Sequence, residues 1–183
     1  MPYPMNPGHE YSPEKMGKIL EAVDEILMYH LMFNDKAMKF CHAIGYNGFK
    51  RLHRWNAKNF LCWHIELENM AYDKHRMTLE TRVSDFDYHP GDIIGHLQKW
   101  DVRLCEDIKI LGMLNNEYRD MSGKDNHIID AALCVMAKDY EKAGRWHRRF
   151  IETKSAHDMH DLDDAIHAKY KAMEEADEIL TKY

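Results

Sequence analysis

Apolar residues recur along this chain at helical spacing in five successive stretches. The first row runs Met16, Ile19, Val23, Ile26, Phe33, Ala37, Phe40 and Ile44, with His30 occupying a place in it. Such spacing lines one face of a 3.6-residue turn. Ser12-Pro13-Glu14 offers an N-cap, a first-position proline and a first-turn acid, and Gly45-Tyr46-Asn47-Gly48 interrupts the row. A helix is therefore predicted over 13–43. The second stretch, 48–83, carries Leu52, Asn56, Phe60, Trp63, Leu67 and Met70 and breaks over 84–91, where Pro90 and Gly91 cannot continue a helix. The third, 92–119, carries Ile93, Leu97, Trp100, Leu104, Leu111 and Tyr118 and stops near Gly123. The fourth, 126–155, carries Ile129, Ala132, Met136, Ala143, Trp146 and Phe150. The fifth, 158–181, carries Met159, Leu162, Ile166, Tyr170, Met173 and Leu180. No run alternates with the two-residue period of a strand.

The first four stretches are each about 40–50 Å long at a rise of 1.5 Å per residue. Short breaks between such helices favour antiparallel neighbours. The expected fold is all-α: an antiparallel up-down four-helix bundle over 13–155. An irregular arm over 1–12 precedes it, and a C-terminal helix over 156–183 packs on the bundle or on a partner subunit. A ferritin-type bundle needs a long crossover between its second and third helices, and the break around Pro90 is too short for one if the second helix reaches 83.

Composition narrows the class. A 45% apolar and 31% charged chain of 183 residues is globular rather than disordered. A net charge of −6 argues against a nucleic-acid partner, which needs a basic face. No apolar run approaches the roughly 20 residues that span a bilayer, and the start lacks a charged-then-apolar signal pattern. A cytoplasmic protein is expected by default. Cys41, Cys62, Cys105 and Cys134 form no CxxC pair and are expected to be reduced, packed side chains.

Thirteen histidines are many for this length. His42, His53, His64 and His75 fall eleven residues apart, about three helical turns, so the last three form a ladder that drifts only about 20° per step. His64 precedes Glu68 by one turn, a spacing at which two side chains can share a metal ion. Folding the helices back on one another brings His30, His64 with Glu68, Asp107 (or Asp101, or Glu106) and Asp139 to one mid-bundle level. Imidazoles and carboxylates on facing helices are how bundles hold iron, manganese or zinc. The expected metal ligands are therefore His30, His64, Glu68, Asp107 and Asp139, with Asp101, His75, His96 and His147 as secondary candidates. His75, His96 and His147 are expected as a second cluster toward one end.

The same residues carry a structural alternative, in which His–Asp hydrogen bonds fix register in a scaffold and the fifth helix mediates a homodimer. A third reading takes Glu21-x-x-Asp24 and Glu174-x-x-Asp177 as magnesium-binding pairs. His157-Asp158 and His160-Asp161 look like the HD pair of metal phosphohydrolases, without its downstream Asp.

The His/carboxylate layer resembles the di-iron centres of hemerythrin-like and ferritin-like bundles. His30 and His64-x-x-x-Glu68 match part of the hemerythrin series, whereas HxxxH is absent and His96-x-x-x-x-Asp101 falls on the third helix. That resemblance implies a di-metal centre and oxygen or peroxide handling. Asn59-Phe60-Leu61-Cys62-Trp63-His64-Ile65-Glu66 is similar to an NFxxWHxE stretch of an uncharacterised bacterial helical family, and His127-Ile128-Ile129-Asp130 is similar to that family's later segment. This second resemblance implies a fold and no activity.

Overall fold

The structure is a computed structural model that describes residues 11–83, 85–153 and 155–180, side chains to residue 178. Residues 1–10 of the expected arm and the stripe position Leu180 lie outside the described side chains. All regular structure among the described residues is helical: α1 (Pro13–Ala43), α2 (Asn47–His75), α3 (Ile93–Ser122), α4 (His127–Thr153) and α5 (Ala156–Leu180). No described helix is long and apolar enough to cross a membrane.

Local chemistry sets most of the ends. Ser12 Oγ accepts from the Lys15 N–H, with Pro13 behind it, at the start of α1. Asp92 accepts from the Gly95 N–H at 2.7 Å to open α3, and Gly123 closes it in the left-handed region at φ 68°. Asn126 Oδ1 accepts from Ile128 and Ile129 N–H to open α4. α2 lacks a side-chain cap from its own N-cap residue, Tyr46. Its first turn is capped from outside: Asp163 of α5 accepts the Phe49 N–H at 2.9 Å.

The second helix ends earlier than its pattern predicts, at His75 instead of 83. Arg76 stops it in the left-handed conformation, at φ 56°. Its N–H bonds to Tyr72 O and the Met77 N–H to Ala71 O, a left-handed closure of the αL type built without glycine. The stretch 76–92 is thus free to run roughly 55 Å when extended, enough to return along a helix of some 43 Å. It follows α1 upward. Met77 approaches Gly17, Thr81 bonds to Asp24, Lys36 bonds to Asp85 and to Phe86 O, and the Tyr88 ring meets Phe40.

That return decides helix direction. α1 and α2 are antiparallel, pairing Asn34 with His53 and Asp24 with His64. α3 and α4 are antiparallel, pairing Asn115 with Asp130 and Asp101 with Gly144. α2 and α3 run the same way, since His53 meets His96 and Met70 meets Tyr118. The expected up-down order with short connections is corrected here, because the crossover carries the chain back to the first end before α3 begins. α5 lies along α2 of its own chain, with Asp163 at Phe49, Glu174 at Arg51 and Arg54, and Asp177 at Lys58. Trp100, Phe49, Phe60, Leu27, Leu52 and Leu104 are among the fully buried side chains of the core between these helices.

Candidate metal centre

The five expected ligands do not meet at one point. They divide into three groups: His30 with Asp107, Asp139 apart, and His64 with Glu68.

His30 and Asp107 pair directly, His30 Nε2 to Asp107 Oδ2 at 2.8 Å, both almost fully buried. The same oxygen accepts Arg103 Nε at 2.7 Å, and the Arg103 guanidinium lies 3.7 Å from the Tyr29 ring centroid. Asp107 is therefore balanced by a protein cation. His30 stacks on Phe60, and its Nδ1 has no hydrogen-bond partner among the described residues. Asp139 is separate. It accepts from Asn56 Nδ2 at 2.7 Å and from Lys142 at 3.4 Å. Burial holds the Asp139 carboxyl above its ordinary range, against the opposing pull of Lys142 and Asn56.

His64 and Glu68 go elsewhere. His64 Nδ1 lies 2.7 Å from Asp24 Oδ1 and His64 Nε2 lies 3.7 Å from Glu68 Oε2. Asp24 is fully buried, and its second oxygen accepts the Thr81 hydroxyl from the crossover. Asp24 thus faces His64 and Thr81, its expected magnesium partner Glu21 accepts the Glu80 N–H, and Glu174 and Asp177 pair with Arg51, Arg54 and Lys58.

The most enclosed group centres on His53 and His96, both without exposed surface. Their Nε2 atoms lie 2.8 Å apart. Cys41, equally buried, places a third ligand atom within 4.8 Å of one on each histidine. The protons in this chain can be assigned. Asn34 Nδ2 donates to His30 O at 2.7 Å, so Asn34 Oδ1 faces His53 Nδ1, also at 2.7 Å. His53 must donate there, leaving its Nε2 as acceptor. His96 Nε2 then donates to it, and His96 Nδ1 accepts the Tyr88 hydroxyl. Neutral rings are required throughout. Burial supplies them: it holds His53 well below 6.5, helped by the neighbouring His96, and pushes His96 down to about 3. It also pushes the Cys41 thiol up to about 12. Tyr88 links this buried group to a surface cleft of about 460 Å³ walled by Tyr29, Phe33 and Phe86 and edged by Lys99 and Arg103.

Of the secondary candidates, His96 alone joins a candidate metal group among the described residues. Asp101 lies against Gly144 between α3 and α4. His75 stacks on Tyr11 at the opposite end of α2, and its Nδ1 lies 3.0 Å from the Tyr11 hydroxyl. His147 is half-buried and outside both candidate groups. The cluster of His75, His96 and His147 would require antiparallel α2 and α3; with the two parallel, His53 meets His96. The signal for the missed residues was present in part: Asn34, Ala37 and Cys41 follow His30 at i+4, i+7 and i+11, one face of α1.

No protein-family model matches the chain, and comparison with curated proteins and with solved structures gives no significant match.

Proposed function

We propose that this protein is a metal-binding helical bundle that holds one zinc-class ion between α1, α2 and α3 through Cys41 Sγ, His53 Nε2 and His96 Nε2. The observation that carries this reading is the approach of two buried imidazoles by the same nitrogen, beside a buried thiol. Two ring nitrogens sharing a tetrahedral ion at about 2.05 Å stand roughly 3.3 Å apart, so each ring needs to shift by only a few tenths of an ångström from the 2.8 Å contact. The outer contacts also suit ligation: Asn34 Oδ1 on His53 Nδ1 and Tyr88 on His96 Nδ1 are the oxygens that fix ring orientation around an ion. The ion would displace the Cys41 proton to solvent and shift the His96 proton from Nε2 to Nδ1, which would then donate to a rotated Tyr88 hydroxyl. One thiolate and two imidazoles favour zinc over manganese, and the carboxylates of an iron or manganese pair, Asp107 and Asp139, are engaged elsewhere. Structural or storage binding suits this enclosed position better than oxygen or peroxide handling. Helices α1–α4 are read with it as a four-helix bundle of the crossover kind, the order of ferritin-like folds.

A second reading is favoured by one specific observation: the chain from Tyr88 through His96, His53 and Asn34 to His30 O satisfies every ring nitrogen of both histidines without an ion. The network would then be a register-fixing element of a scaffold. Elemental analysis of the untagged protein, before and after zinc reconstitution, separates the two. About one zinc per chain, lost in Cys41→Ser and His53→Ala, is the expected result. A metal-free protein that takes up no zinc makes the network structural.

A further inference from the structure

Asp24 sets a separate electrostatic problem. It is fully buried, yet among the described residues no lysine or arginine lies within ion-pair distance of it. A buried carboxylate requires a compensating charge. Asp107 has Arg103 and Asp139 has Lys142. Asp24 has His64, which itself faces a second carboxylate, Glu68, on its other side. With the imidazole neutral, Asp24 and Glu68 bring two negative charges to this corner, and among the described residues neither has a lysine or arginine within ion-pair distance.

We infer that Asp24, His64 and Glu68 form a second site, for a divalent cation, at the junction of α1, α2 and the crossover. One atom from each residue lies within 4.8 Å of the other two. The elements position them differently. Asp24 is fixed by the Thr81 hydroxyl on its far oxygen; Glu68 is half-exposed, one turn beyond His64, and free to close over an ion from the solvent side. An ion entering between His64 and Asp24 replaces their hydrogen bond, the ring proton passing from Nδ1 to Nε2, and takes its remaining ligands from water, since His64 keeps partial exposure. Two carboxylates and one imidazole, with water for the rest, make a harder site than Cys41, His53 and His96, so the cation is of the manganese kind and the two sites should sort metals by softness. This inference does not depend on the thiolate site.

Manganese(II) alone is the discriminating probe, titrated into metal-free full-length protein while the free-ion paramagnetic resonance signal is followed. One bound manganese per chain is expected in the wild type and equally in Cys41→Ser, which removes only the thiolate ligand. Glu68→Gln, a change on the exposed side of α2 that leaves the core intact, should weaken binding by at least the roughly 10-fold that losing even an outer-shell partner costs. Asp24→Asn and His64→Ala should abolish it, with helical circular dichroism unchanged. Manganese binding that survives Glu68→Gln and Asp24→Asn undiminished, or no binding at millimolar manganese, overturns the site. Zinc lost in Cys41→Ser while manganese is retained would separate the two sites.

Discussion

His53 and His96 face each other by the same ring atom, Nε2, across 2.8 Å, although one lies near the start of α2 and the other near the start of α3. Parallel helices make that meeting possible. In the metal-free protein, His96→Ala leaves His53 Nε2 and the Tyr88 hydroxyl facing a cavity, at a cost of about 2–4 kcal/mol. Tyr88→Phe removes only the outer hydroxyl and should cost about 1 kcal/mol. Urea denaturation checks the ranking. Equal losses would mean that His96 contributes no more than its bond to Tyr88.

Arg76 occupies a conformation that costs an L side chain roughly 1–2 kcal/mol. Arg76→Gly should relieve it, with part of the gain offset by the greater freedom of glycine in the unfolded chain. A net stabilisation of about 0.5–1 kcal/mol is expected. Arg76→Val, β-branched at the same positive φ, should destabilise. The opposite order in thermal melts would contradict the left-handed closure of α2.

Gly48 carries the contact between α2 and α5. A Cβ there would stand 1.9 Å from Asp163 O, a backbone atom that cannot yield by a rotamer change. Gly48→Ala should cost about 2 kcal/mol or more by forcing α5 off α2. Asp163→Ala should cost about 1 kcal/mol by removing the cap on Phe49. Hydrogen exchange should show α5 amides exposed in Gly48→Ala while α3 and α4 stay protected. Protection of α5 equal to wild type would refute the docking.

Asp139 makes stability depend on pH. Its carboxyl titrates above the ordinary 3.8 because burial disfavours the charge, so the folded state binds the proton more tightly than the unfolded chain. The stability this group adds is complete below about 3.8 and is lost as pH rises through the folded value. Asp139→Asn escapes that loss and keeps an acceptor for Asn56. Relative to wild type it should therefore gain stability between pH 4 and pH 7. A pH-independent difference, measured by denaturation across that range, would show that Lys142 and Asn56 fully offset the burial.

The sequence by itself determined five helices and where most of them begin, because those features rest on local terms: Ser12 before Pro13, and the breaks at Gly45, Pro90-Gly91 and Gly123. It also placed His30, Asp107 and Asp139 on buried faces, where the structure has them. What brings ligand atoms together is not local. The end of α2 depends on Arg76 adopting a positive φ that its residue type does not announce, and eight residues of apparent helix become crossover, reversing the direction of α3 against the expected order. Helical phase decided the rest. A ladder drifting about 20° per step leaves His53 sealed in the core and turns His64 toward Asp24 at the crossover. A difference of a few tens of degrees separates a core ligand from a rim ligand, and only the packing of α1, α3 and the crossover around α2 fixes that angle.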